Sequence, residues 1–213
     1  MQVFFLESIL NLVGFGVGAT IGILSYIGFR NTGSPTLFRL TLAFFSIGIG
    51  FMIMWLGLAL DMYVFEVKDQ HKWIQTVGIA SQTLGYFFIA FSHTIKSFFP
   101  RSNYLRSVGV LPLFLFSFTS LENVIRSISF ILLAYGAIET IMSYFESRRK
   151  TALFVAAGLA ALGFGEFLGW YYFVFPQSIL GMVSITIKIA GLVLLFIPVT
   201  KVPLTKIKFD ENL

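Results

Sequence analysis

The chain of 213 residues is 57% hydrophobic and only 12% charged, with a mean hydropathy of +0.86 and a formal net charge of +5. Soluble domains carry charge at about a quarter of their positions, so an ordinary soluble globule is excluded and lipid is the solvent for most of this chain. The absence of cysteine removes disulfide scaffolds, thiolate zinc sites, iron–sulfur clusters and cysteine nucleophiles.

A helix needs roughly 20 residues, at about 1.5 Å each, to cross a hydrocarbon core about 30 Å thick. Seven apolar runs qualify, in order Ile9–Phe29, Thr36–Leu60, Trp73–Ile95, Val108–Leu121, Ile125–Phe145, Thr151–Phe173 and Ile179–Thr200. The fourth is the shortest, bounded by Arg106 and Glu122 and interrupted by Pro112; it crosses if flanking side chains snorkel and neighbouring helices cover its backbone. The expected fold is all-α: a polytopic bundle of seven transmembrane helices forming one integral domain, residues 1–213, in the cell membrane. Met1 to Phe5 lacks a basic n-region, so no signal peptide is expected. The tail Lys201–Leu213 is too short for an effector domain, so activity is expected inside the bilayer or through a separate protein partner.

Lysine and arginine accumulate in the cytoplasmic loops of membrane proteins. With the N-terminus outside and the C-terminus cytoplasmic, the inner segments hold Arg30, Arg39, Lys96, Arg101, Arg106, Arg148, Arg149, Lys150, Lys201, Lys206 and Lys208. The outer segments hold only Lys68, Lys72 and Arg126. Trp55, Trp73 and Trp170 then fall in the outer half, as an interfacial aromatic belt requires. Topology accounts for the basic excess, and no nucleic-acid partner is implied.

Internal similarity is visible between the two ends of the chain. An offset of 115 residues sets Gly48, Gly50 and Trp55 onto Gly163, Gly165 and Trp170, and one of 106 sets Gln82 and Gly85 onto Lys188 and Gly191. The matches point to a parallel 3+1+3 repeat with halves 1–98 and 123–203 and a linker helix 107–121. Nineteen glycines also allow such coincidences by chance. The small-residue stripes Gly14, Gly18, Gly22 and Gly158, Ala161, Gly165, Gly169 are read as helix-packing surfaces.

Away from the span ends, three charges interrupt the apolar runs, Glu139, Glu166 and Lys188, each costing on the order of 3 kcal/mol on insertion scales. By helical rise Glu166 lies about 22 Å from the inner edge of its span and Lys188 about 15 Å from the outer edge of the next, so on adjacent antiparallel helices the two can pair. Two readings stay open: an ion pair that fixes the fold, or a polar site near the midplane that responds to a ligand, proton or ion. Gln82, with Ser81, Thr83, Ser184 and Thr186, is placed to line the same interior, and Glu139 lies closer to the inner edge.

No catalytic, metal or cofactor motif occurs, and the expectation is a non-enzymatic protein without cofactor. His71 and His93 are separated by about 33 Å of helical rise and cannot share a metal or haem. A lysine in the last span is also a feature of retinal proteins, but the third span supplies no acid as counter-ion, which argues against that reading.

The stretch Ser25-Tyr26-Ile27-Gly28-Phe29-Arg30-Asn31-Thr32-Gly33-Ser34-Pro35-Thr36-Leu37-Phe38, followed by a span containing Gly48 and Gly50, resembles the opening spans of prokaryotic, archaeal-type seven-helix sensor modules. Tyr144 through Lys150, Ala152-Leu153-Phe154 and Lys188-Ile189-Ala190-Gly191-Leu192 are similar to the last three spans of those modules. Such modules usually feed a cytoplasmic kinase or cyclase domain. The resemblance here implies a stand-alone receptor-like or accessory subunit. The 3+1+3 plan also resembles the sugar-transporting and PQ-loop group, although its proline–glutamine pair occurs only as Pro176-Gln177 in an outer turn. A structural subunit of a respiratory or oxygenase complex is the remaining alternative.

Overall fold

A computed structural model describes residues 2–63, 68–94, 120–174 and 178–200. Six helices are present among them: α1 (Gln2–Thr32), α2 (Pro35–Tyr63), α3 (Lys68–Thr94), α4 (Leu121–Ser147), α5 (Lys150–Val174) and α6 (Ser178–Val199). Each contains a stretch long and apolar enough to cross a membrane, so the fold is an all-α bundle compatible with a multi-pass membrane protein. Large apolar side chains point outward on every helix, among them Leu12, Phe38, Val77, Ile128, Phe164 and Val193, as a lipid-facing surface requires.

The fourth apolar run lies outside the described residues except for its end. Leu121, expected to close that run, is instead the first residue of α4. The cause is local: Ser120 caps the helix, its hydroxyl accepting from the Asn123 amide, and Glu122 places negative charge against the exposed amides of the first turn. Arg126, expected in an outer segment, consequently sits inside α4. Short turns join α1 to α2 and α4 to α5. Gly33 adopts φ +66° and returns its amide to Phe29 O at 2.7 Å, ending α1 with a left-handed cap. Arg148 makes the equivalent cap on α4 at φ 53°, its amide reaching Tyr144 O at 2.8 Å.

The helices form a closed ring in which each packs on its two chain neighbours and α1 meets α6. One cavity is lined by the N-terminal parts of α1, α3, α4 and α6 (Glu7, Thr76, Glu122, Gly181) and by the C-terminal parts of α2 and α5 (Leu58, Tyr172). Sequential helices therefore alternate in direction except α3 and α4, which run the same way, joined halfway down by a 2.7 Å contact between the hydroxyls of Thr83 and Ser129. Thr94 and Ser120 consequently lie at opposite ends of the bundle.

Trp55, Trp73 and Trp170 lie toward the cavity end, while Arg30, Arg39 and Arg148 to Lys150 lie toward the other. Beneath the cavity, away from its mouth, Phe44, Ile47, Phe51, Leu133, Leu159, Leu162 and Leu192 fill the ring as one apolar core. Glycines set the interhelical spacing. A Cβ on Gly18 would meet the Gly48 Cα at 3.0 Å, and one on Gly14 would enter the Phe51 ring at 2.8 Å, so the first small-residue stripe packs on α2.

Candidate functional site

Between the cavity and the apolar core lies a buried polar network centred on Glu166. Its carboxylate comes from α5 and is fully buried. Lys188 Nζ, from α6, lies 2.6 Å from Glu166 Oε1, and Arg126 Nη1, from α4, lies 3.1 Å from Oε2. The Tyr86 hydroxyl of α3 donates to Oε1 at 3.1 Å. Arg126 also donates through Nε and Nη2 to Glu122 Oε1, at 3.0 and 2.9 Å. Lys188 further donates to Gln82 Oε1 at 3.2 Å, and the Gln82 amide reaches Met54 Sδ at 3.5 Å.

Two acids and two bases thus compensate one another. Such balance is needed where each isolated charge would cost several kcal/mol to bury, and the Tyr86 and Gln82 contacts use hydrogen-bonding capacity that burial would otherwise orphan.

Local helix chemistry places each member. Glu122 and Arg126 are four residues apart on α4, so one helix face presents the acid directly beside the guanidinium. Gly165 and Gly169 line the α5 face that meets them. A Cβ on Gly165 would sit 2.6 Å from Lys188 Cγ and 3.1 Å from Ser184 O, and one on Gly169 would collide with Arg126 Nη1. The Gly165 and Gly169 end of the second small-residue stripe is thus the trough along which the two cationic side chains run, while Gly158 packs on Leu195 and Gly191 of α6. Ser184 closes the contact by donating to Gly165 O at 2.8 Å.

Among the residues singled out in the sequence, Glu166, Lys188 and Gln82 come together. Glu139 stands apart: it is half-buried on α4, about 20 Å of helical rise beyond Arg126, and its Oε1 has no hydrogen-bond partner among the described residues. Ser184 lines the interior. Thr186, expected there too, is exposed and bonds back to Met182 O, because two further residues turn it to the opposite side of α6. Ser81 and Thr83 serve interhelical contacts instead, Ser81 donating to Ser46 O at 2.8 Å.

Arg126, Tyr86 and Glu122 were not anticipated in the network. The four-residue spacing of Glu122 and Arg126, directly after a Ser120 cap, is the signal that marks them as one face of a helix rather than a loop.

The cavity, of about 680 Å³, descends from the bundle end to this network, with Arg126, Ser184 and Lys188 at its floor. Met54, Leu58, Ile185, Trp73 and Tyr172 supply apolar and aromatic wall. Comparison of the chain with protein-family models, with curated proteins and with solved structures finds no match.

Proposed function

We propose that this is a non-enzymatic, sensor-like or accessory membrane module of seven crossings, which receives a small molecule in its cavity and passes the altered packing to a separate protein partner. The observation that carries the reading is the Glu166 network. It joins α3 to α4, α5 and α6 directly beneath a ligand-sized cavity, so a solute that displaces one partner of Glu166 changes the forces across the whole bundle.

The opposite placement of Thr94 and Ser120 supports the seventh crossing, since the intervening chain has a full bundle length to cover. Segregation of tryptophans and basic residues to opposite ends supports an outer cavity mouth and a cytoplasmic basic face. On this reading the protein is similar in kind to the archaeal-type sensor modules, with output supplied in trans.

The test is native purification of the wild type and of Glu166→Gln from the membranes of the producing cell. A co-purifying protein whose yield changes with the substitution, while the variant keeps its helix content, is the expected result. A solitary protein in both cases contradicts it, and a partner held identically by both indicates a structural subunit.

Transport is the second reading, favoured by one specific observation. Gly50 faces Gly78 and Gln82 as Gly165 faces Ser184 and Lys188, and Gly85 faces Ala43 and Ile47 as Gly191 faces Gly158 and Leu162. All of these correspond by the same offsets of 115 and 106 residues that relate the two ends of the sequence. Two similar three-helix halves around one cavity are what rocking-type transporters use, and saturable solute uptake into proteoliposomes would favour that reading.

A further inference from the structure

We propose that the cavity binds a small organic anion with an apolar or aromatic body, its carboxylate-like head seated on Arg126 and Lys188. This rests on the reading of the cavity as the ligand-receiving end of the bundle, and it names the class of ligand.

The first support is unspent donor capacity at the floor. Arg126 and Lys188 are 7% and 1% exposed, and both line the cavity. A guanidinium carries five N–H groups and an ammonium three. Among the described residues, Glu122 and Glu166 engage three of those of Arg126, and Glu166 and Gln82 engage two of those of Lys188. The remaining N–H groups have no acceptor there, and an acceptor arriving through the cavity satisfies them.

The second is the distribution of charge. Arg126, Lys188 and Glu166 together carry one net positive charge, and Glu122, at 18% side-chain exposure, balances it from the mouth side. A ligand carboxylate is the chemical equivalent of the Glu122 side chain and can take its place on the guanidinium in fork geometry. A cation would instead have to pull Glu122 from Arg126 and then face two buried positive groups.

The third is shape. The polar groups converge at one end of a volume whose walls include Met54, Leu58, Ile185, Trp73 and Tyr172, so the head is fixed by charge and the body by apolar contact.

The probes are 3-(4-fluorophenyl)propionate, its amide and the corresponding amine, titrated against full-length protein in zwitterionic-lipid nanodiscs and followed by fluorine NMR and calorimetry. The acid is expected to bind saturably at one site, about tenfold or more tighter than the amide, with no measurable binding of the amine. Glu122→Gln removes the resident competitor and should tighten the acid several-fold while leaving the amide unchanged. Leu58→Trp fills the cavity and should abolish binding of the acid.

Both variants lie away from Glu166, and Glu122→Gln changes a partly exposed side chain, so the outcome does not hang on a variant stripped of the buried centre. Equal affinity for acid and amide, preference for the amine, an acid signal that does not saturate, or one indifferent to Leu58→Trp overturns the proposal. Any of these outcomes leaves the partner-capture result standing, so failure of the ligand class and failure of the sensor-like reading are separable.

Discussion

Glu166 is the residue on which the interior depends, because among the described residues it alone accepts from two cations and a tyrosine. Replacing it with glutamine leaves Arg126 and Lys188 buried with only Glu122 to balance them, and should cost about 3 kcal/mol or more. Lys188→Met leaves Glu166 with Arg126 and Tyr86 and should cost less, while the double change to Met and Gln restores charge balance through Arg126 and Glu122. Reversible unfolding in detergent, followed by helix content, is expected to rank Glu166→Gln below both other variants. Equal stability of the two single variants would mean that Glu166 is not the centre of the network. Tyr86→Phe deletes a single hydroxyl donor, and a loss of about 1 kcal/mol is expected in the same assay.

Glu166 and Lys188 were legible in the sequence because a charge inside an apolar run has few explanations. Arg126 was not, since it lies at the edge of its run, where an arginine reads equally well as a loop residue. Tyr86 was hidden among aromatic residues that its helix would carry for packing alone.

Helices meet closely here because glycines let them, and the tolerance of each glycine differs with what it faces. Gly165→Ala drives a methyl into Lys188 and Ser184, and Gly50→Ala drives one against the backbone of Gly78, 2.6 Å away. Each should destabilise by about 1–3 kcal/mol, as overpacking does. Gly16→Ala meets nothing within 4 Å and should leave stability unchanged or slightly raised, because alanine is the better helix former. Thermal unfolding of the three variants checks the contrast, and comparable losses in all of them would mean that the interhelical contacts are misplaced.

Six of the seven expected spans correspond to described helices because uninterrupted apolar length is a strong signal. The start of α4 lies four residues before the expected span for a physical reason: Glu122 closes the preceding apolar run, yet it pairs with Arg126 one turn on, and the two neutralise each other within the helix. The stripes of small residues announced close packing but not the partner, since a glycine face reads the same toward a helix, a ligand or a second copy.

At the scale of the whole molecule, two three-helix groups, α1–α3 and α4–α6, face one cavity, and α3 and α4 run in the same direction. The network crosses the seam between the groups through Tyr86 and Gln82 on one side and Arg126, Glu166 and Lys188 on the other. On the proposed reading of seven crossings, the chain passes from one membrane face to the other between Thr94 and Ser120. The absence of native cysteine gives a clean background for a direct measurement. Single cysteines at Thr36, Trp73, Leu121 and Arg149, all exposed positions near helix ends, are to be labelled with an impermeant maleimide in sealed vesicles of known orientation. Thr36→Cys and Arg149→Cys are expected to react from one face and Trp73→Cys and Leu121→Cys from the opposite face. Reaction of Thr36→Cys and Arg149→Cys from opposite faces would contradict the reading of seven crossings.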